Sequence, residues 1–357
     1  MPAPLTQETL ARAPKVLLHD HLDGGLRPQT IIEIAEQTGY TALPSTDAAE
    51  LGRWFTESAD SGTLVRYLET FDHTVAVMQT PEGIHRVARE CALDLAADGV
   101  RYAEVRYAPE RSTPAMTAEA AVEAMLDGFA TGARDATAAG TPIAVRSLLC
   151  AMRQDDHWDE IAALVVRYRD AGVVGFDLAG PEIGFPADRH PSAIALLDRA
   201  GAHRTIHAGE ADGIESIRGA LDGARAERLG HGVRIADEVP ADGGPLGPVA
   251  QRVLDEQITL EVAPTSNVQT GAYPSIAAHP VDRLHRAGFA VTLNTDNRLM
   301  SGVTPTSEFV AVVQAHGWGW DDVQTVTERA LAAAFLDEGE RAGLLAEVRA
   351  GYAALRG

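Results

Sequence analysis

The sequence has little lysine and no long apolar run, and each shortage excludes a class of partner. Lys15 is the only lysine among 357 residues, and 30 basic side chains stand against 51 acidic ones, a net charge of 30 − 51 = −21. Because a protein with this much negative charge repels phosphate backbones, we expect no nucleic-acid partner. No apolar run approaches the roughly 18 residues that a membrane helix needs, so we expect no membrane partner either.

Cysteine is also scarce. Cys91 and Cys150 are the only two, too few for a disulfide framework and without the C-x-x-C spacing of many metal sites. The N-terminus shows no basic start followed by an apolar core, as a signal peptide would. A hydrophobic fraction of 45% with 23% charged residues is typical of globular proteins. We therefore expect a soluble, cytoplasmic protein; nothing in the sequence indicates its oligomeric state.

Short apolar runs alternate with longer amphipathic stretches along the whole chain. The eight runs are 15–18, 100–107, 143–149, 173–178, 204–207, 228–229, 258–262 and 289–293. Stretches such as 81–97 and 118–133 carry apolar residues at i, i+3, i+4 and i+7, which predicts helices with one buried face. Eight strand-like runs that alternate with helices predict an α/β fold: a single (β/α)₈ TIM-type barrel over 1–357. Extra helices are expected after strand 1, as a lid over roughly 45–80, and at the C-terminus; a doubly wound sheet is the alternative.

Histidines cluster at the end of the first run. His19 and His21 are two residues apart, so in a strand both side chains point into the barrel mouth. Paired imidazoles are typical of a metal site, although an isolated H-x-H is also typical of hydrogen-bonded loop histidines.

Further candidate ligands follow other strands. His207 ends the fifth run with Glu210 three residues later, His231 lies between two glycines after the sixth, and Asp296 follows the eighth. Each has an ordinary explanation by itself: chance, a surface turn or a helix cap. The joint occurrence of three histidines and an aspartate at the ends of strands 1, 5 and 8 predicts a zinc-type site with one coordination position open for water.

The pattern favours one metal ion per chain. A bridged two-metal site of this architecture often uses a carboxylated lysine at a central strand end, but Lys15 precedes the histidine pair and the fourth run ends in Asp177 to Gly180. The cysteine pair of cytidine-type deaminases is also absent.

Several ordered motifs resemble one family. They are HDHLDGG at 19–25, DLAGPEIGF at 177–185, HRTIHAGE at 203–210, RLGHG at 228–232, APTSN at 263–267 and LNTDN at 293–297. From about residue 15 to the C-terminal helices, the chain resembles the adenosine deaminase family of amidohydrolase-like barrel enzymes.

The resemblance implies a metal centre and a set of acid–base groups. Glu210 matches the acid that protonates purine N1, and His231 the histidine that handles the attacking water, which Asp296 helps to orient. One zinc ion would be bound by His19, His21, His207 and Asp296.

The resemblance also implies contacts to a purine nucleoside. Asp23 matches the carboxylate that contacts the ribose 5′-hydroxyl, and the backbone of Gly180 matches the contact to the purine N3 edge. An apolar lid helix over the substrate would present Leu64, Tyr67, Leu68 and Phe71. Their i, i+3, i+4, i+7 spacing is equally typical of an ordinary core-facing helix.

Asn297 departs from the family pattern, which often has a second aspartate that donates to purine N7. An amide donates at any pH, whereas a carboxyl must be protonated to do so. The contact can therefore survive the change, with a simpler pH dependence.

The implied reaction is zinc-dependent hydrolytic deamination of adenosine and 2′-deoxyadenosine to inosine, 2′-deoxyinosine and ammonia. A deaminase of adenine or of a 5′-modified adenosine such as aminodeoxyfutalosine is the alternative enzyme. A catalytically silent zinc-binding interaction protein and a metal-dependent amide or ester hydrolase are alternatives of other kinds.

Overall fold

Eight parallel strands form a barrel in the computed structural model, which describes residues 4–357. The strands follow one another around the barrel in chain order, so the predicted (β/α)₈ fold is confirmed. The strands are β1 (Lys15–His21), β2 (Val100–Tyr107), β3 (Ala144–Met152), β4 (Val173–Ala179), β5 (His203–Ala208), β6 (Arg228–His231), β7 (Thr259–Val262) and β8 (Val291–Leu293).

The barrel closes between its first and last strands through the segment that follows β8. The backbone N–H of Asp296 donates to the carbonyl of His19 at 3.0 Å, and that of His21 donates to the carbonyl of Asp296 at 2.7 Å. Barrel closure and the predicted metal site therefore share the same residues.

Helices separate the strands and extend the fold at two places. Five helices within 28–97 lie between β1 and β2, and four helices within 298–356 follow β8, as predicted. The helices are α1 (Gln7–Arg12), α2 (Pro28–Thr38), α3 (Ala48–Ala59), α4 (Leu64–Glu69), α5 (Phe71–Val77), α6 (Pro81–Ala97), α7 (Ala118–Ala138), α8 (Trp158–Tyr168), α9 (Pro191–Ala200), α10 (Ile214–Asp222), α11 (Pro248–Asp255), α12 (Pro264–Gln269), α13 (Val281–Arg286), α14 (Arg298–Ser301), α15 (Pro305–His316), α16 (Trp320–Ala333) and α17 (Glu338–Arg356).

The sequence patterns explain where these elements lie and how closely they pack. Thr80 caps α6 by accepting a hydrogen bond from the N–H of Gly83, and the helix spans 81–97 as predicted. On α7, a Cβ at Gly128 would lie 2.4 Å from the carbonyl oxygen of His85, so only glycine permits the close approach of α6 and α7.

The strands differ from the apolar runs chiefly at their ends. β1 continues through His19 to His21, and β3 extends to Met152 instead of ending at 149. Backbone pairing with β2 carries β1 on into the polar residues that end at His21, and pairing with β4 carries β3 on to Met152. The very short sixth run does form a strand, β6.

Charged side chains fill part of the barrel interior. Arg228 on β6 contacts Glu104 on β2 at 2.5 Å and Glu261 on β7 at 2.7 Å, and its guanidinium stacks 3.7 Å from the ring centre of Phe335. All three charged groups are buried, so each charge is balanced inside the fold rather than by water. Among the described helices, none is long and apolar enough to span a membrane.

Candidate metal and acid–base site

The predicted metal ligands converge at the C-terminal mouth of the barrel. Nε2 of His21 lies 3.3 Å from Nε2 of His207, and Oδ1 of Asp296 lies 3.2 Å from Nε2 of His19 and 3.4 Å from Nε2 of His21. One potential ligand atom from each of these four residues falls within 4.8 Å of the others. Three imidazole nitrogens and a carboxylate oxygen at this spacing can surround a single cation.

The protonation pattern of the histidines fits a metal. Nδ1 of His19 is 3.0 Å from a carboxylate oxygen of Glu261, and Nδ1 of His207 is 3.1 Å from one of Asp177. Each carboxylate holds the ring hydrogen on Nδ1, which leaves Nε2 as a free lone pair. Nε2 of His19 is buried and makes no well-aligned hydrogen bond among residues 4–357, although Oδ1 of Asp296 lies 3.2 Å away; a metal ion bound by both atoms would explain this. The alternative of hydrogen-bonded loop histidines does not account for it.

Arg106 joins the two supporting carboxylates. Its guanidinium lies 3.0 Å from Asp177 and 2.7 Å from Glu261, and it also donates to the carbonyl of Leu18 at 2.7 Å. Sequence reasoning missed both Arg106 and Glu261. The available signal was the presence of charged residues within an apolar strand. Glu104 and Arg106 are two positions apart in VRYAEVRY, so both side chains lie on one face of β2.

Glu210 and His231 lie next to this cluster as an acid–base pair. Oε2 of Glu210 is 3.5 Å from Nε2 of His231, and both side chains are buried. Burial, followed by the nearby charges of Asp296 and Glu182, raises the pKa of Glu210 well above its ordinary value. Glu210 is therefore suited to carry and release a proton at neutral pH.

Glu182 fixes the loop that presents Glu210. Its carboxylate accepts hydrogen bonds from the backbone N–H groups of Glu210, Ala211 and Asp212 at 3.1, 2.7 and 2.9 Å. The PEIGF segment after β4 thus acts on the turn after β5. The carboxylate of Glu182 does not itself line the cavity above the metal cluster, which is described below.

Two site residues have a backbone conformation that favours glycine. His231 has φ of 63° and Asp296 has φ of 57°. Residues held in this left-handed region cost free energy and recur at functional sites, where the rest of the fold compensates for them. Ser266 further fixes Asp296 by donating to its second oxygen at 2.5 Å.

A cavity of about 380 Å³ opens above the cluster. Asp23 lines it, and one oxygen of Asp23 is buried without a hydrogen-bond partner in the described chain. Burial raises the pKa of Asp23 to about 6. Glu69 and Asp72 add negative charge to the wall, whereas the guanidinium of Arg111 pairs with Asp155 at 3.1 Å.

Lid residues from two helices form one wall of the cavity. The predicted continuous stripe is broken at Thr70, so Leu64, Tyr67 and Leu68 lie on α4 and Phe71 begins α5. All four side chains nevertheless line the cavity. Tyr67 is fully buried with its hydroxyl 3.1 Å from that of Ser301, so it also anchors α4 to α14.

Gly180 and Asn297 line the same cavity. Gly180 has φ of 96°, and a Cβ there would lie 2.6 Å from Oε1 of Gln154, so the position requires glycine. A Cβ at Gly24 would lie 2.0 Å from Oδ1 of Asn297, so the glycine at this position makes room for the amide. The structure thus brings every predicted site residue to one cavity or to the metal cluster at its base.

Comparisons of the sequence and the structure with known proteins all point to one family. The model of the family described as adenosine deaminase matches residues 14–351. Two curated relatives, both named adenosine deaminase, are 53% identical: one from Mycolicibacterium gilvum covers 100% of both chains, and one from Mycobacterium marinum covers 96% of both. The solved structure of an adenine deaminase from Arthrobacter aurescens superimposes with a TM-score of 0.81 at 27% identity, over 94% of this chain and 98% of that one. This protein belongs to the metal-dependent adenosine deaminase family.

Proposed function

We propose that this protein binds one zinc ion and hydrolyses adenosine and 2′-deoxyadenosine to inosine, 2′-deoxyinosine and ammonia. The observation that carries the proposal is the buried carboxyl of Glu210, 3.5 Å from His231, beside a cluster of three histidines and an aspartate. The names of the relatives at 53% identity favour adenosine as the substrate.

The residues of the chain divide the chemistry among them. His19, His21, His207 and Asp296 would hold the zinc, which when bound lowers the pKa of a coordinated water from 15.7 to about 7. His231 and Asp296 lie where they can orient the attacking water. Adenine C6 is a poor electrophile until N1 is protonated, and Glu210 supplies that proton. Asn297 faces the cavity as a donor for purine N7, and the Gly180 backbone as a contact for N3.

The cavity favours a nucleoside over a nucleotide. Asp23 suits a 5′-hydroxyl, and its charge, with those of Glu69 and Asp72, would repel a 5′-phosphate. The lid residues Leu64, Tyr67, Leu68 and Phe71 would exclude water from the bound purine.

Adenine is the second candidate substrate because the Arthrobacter structure is named for it. A substrate screen separates the candidates: loss of the adenine absorbance band is followed for adenosine, 2′-deoxyadenosine, adenine, AMP and 5′-modified adenosines, with metal content measured on the same sample. Adenosine turnover with about one zinc per chain is expected. A chain that binds zinc and deaminates none of these would instead be the silent interaction protein.

We also propose that its partners are small molecules and that it acts in the cytoplasm. Both cysteines are buried and unpaired, which suits a reducing compartment.

A further inference from the structure

Asn267 touches both acid–base residues of the site. It is fully buried on α12, and its Nδ2 lies 3.0 Å from Nδ1 of His231 and 3.5 Å from Oε1 of Glu210. A side-chain amide donates from one end and accepts at the other. The orientation of this amide therefore decides whether Nδ1 of His231 receives a hydrogen bond or donates one.

His279 fixes that orientation. The backbone N–H of Val281 points at Nδ1 of His279 at 3.1 Å, and since a backbone N–H only donates, this Nδ1 carries no hydrogen. Burial lowers the pKa of His279 to about 3, so the ring is neutral and its single hydrogen lies on Nε2. Nε2 is 3.3 Å from Asn267, and the atom that it meets must be the accepting oxygen, Oδ1.

The amide nitrogen of Asn267 must then face His231. It donates to Nδ1 of His231, so the hydrogen of the neutral His231 ring lies on Nε2, the nitrogen that is 3.5 Å from Glu210. In Glu210, Oε1 already accepts from Thr270 at 2.9 Å, and the second N–H of Asn267 lies nearby. A proton on Glu210 is therefore directed to Oε2, on the His231 side.

We propose that Asn267, held by His279, is a positioning residue that locks His231 in the tautomer with hydrogen on Nε2. In that tautomer His231 donates a hydrogen bond to the attacking oxygen instead of removing its proton. Of the two groups beside the water, Asp296 alone then offers an unprotonated atom. The inference rests on the proposed deaminase function for its kinetic consequences, whereas the tautomer itself does not depend on that function.

The variant Asn267→Asp tests the lock directly. A carboxylate only accepts, so it draws the hydrogen of His231 to Nδ1. We expect kcat for adenosine to fall by about 10²–10⁴-fold, the range for a misplaced acid–base group or wrong tautomer, with a much smaller change in KM and with zinc retained. The tautomer is measured from two-bond ¹H–¹⁵N NMR spectra of the zinc-loaded protein labelled with ¹⁵N-histidine. The signal that disappears in the His231→Gln variant is assigned to His231.

Variants at His279 test the support for Asn267. His279→Leu removes the donor and frees the amide to rotate, so kcat should fall while zinc is retained. Glutamine can accept from Val281 and donate to Asn267, so His279→Gln should recover most of that kcat. His285→Leu, at a buried histidine on α13 outside the site, controls for the loss of a buried ring, and thermal melting compares all variants.

The possible results separate the tautomer from the function. A wild-type His231 with hydrogen on Nδ1, or an Asn267→Asp protein with unchanged kcat, would overturn the proposal. Equal kcat in His279→Leu and His279→Gln would also contradict the role of His279. If the wild-type protein deaminates no adenosine, the proposed function fails, but the spectra still decide the tautomer.

Discussion

Arg106 and Glu261 lie 2.7 Å apart inside the barrel, joined by a hydrogen bond from the guanidinium to the carboxylate that supports His19. The same guanidinium contacts Asp177, which supports His207. Arg106 therefore orients two predicted metal ligands, His19 and His207, through the carboxylates that hold them. A planar guanidinium can serve both carboxylates at once, which a single ammonium cannot do with the same geometry.

Arg106→Lys should weaken zinc binding by about 10–100-fold, the usual effect of losing groups that orient metal ligands. Competition with a chelator measures the affinity. Arg146→Lys is the matched control, since Arg146 pairs with Glu340 and lies outside the metal cluster. Equal losses of zinc affinity in the two variants would refute the orienting role of Arg106.

Glu210→Gln should abolish most ammonia release while zinc stays bound, because the amide cannot protonate N1. We expect kcat to fall by about 10²–10⁴-fold. Ammonia production and metal content are measured on the same preparation. Substantial deamination by this variant would show that another group protonates the purine.

Asp23→Ala should raise KM for adenosine far more than for adenine, since only the nucleoside has a 5′-hydroxyl for this carboxylate to contact. Steady-state kinetics with the two substrates measure the difference. The ribose contact would be wrong if both KM values changed by the same factor.

Leu68→Ala should raise KM for adenosine by roughly 10-fold, because it removes apolar contact from the cavity wall. Arg66→Ala provides the control on the same helix, since Arg66 is exposed and does not line the cavity. A similar change in both variants would point to a general loosening of α4 and not to substrate contact.

Glu308 makes stability depend on pH. Burial raises its pKa from 4.5 to about 7, and its carboxylate accepts a long 3.3 Å hydrogen bond from the N–H of Thr265. Between these two pKa values the folded state binds the extra proton, so stability falls as pH rises from 4.5 to 7, by about 3 kcal/mol in total. Glutamine keeps the acceptor without the charge.

Glu308→Gln should therefore stabilise the protein at pH 8 more than at pH 5. Urea unfolding at both pH values measures the free energy of unfolding, with Glu338→Gln, at an exposed position, as the control. A Glu308→Gln effect that is the same at both pH values would show that Glu308 is ionised throughout.

The sequence by itself determined the barrel and the metal cluster. In a parallel barrel all strands end at the same mouth, so His19, His21, His207 and Asp296 could be placed together from their positions after apolar runs alone. The same rule placed Glu210 and His231 beside them.

Only the tertiary structure decided how these groups are held. Arg106 and Glu261 are 155 positions apart in the chain, and His231 and Asn267 are 36 apart. Such contacts depend on the register between strands and on the paths of loops, which local periodicity does not encode. The break at Thr70 within the lid and the tautomer of His231 were hidden for the same reason: each depends on partners from distant segments. The sequence thus specifies which chemical groups reach the mouth of the barrel, whereas packing specifies their orientation and where their protons lie.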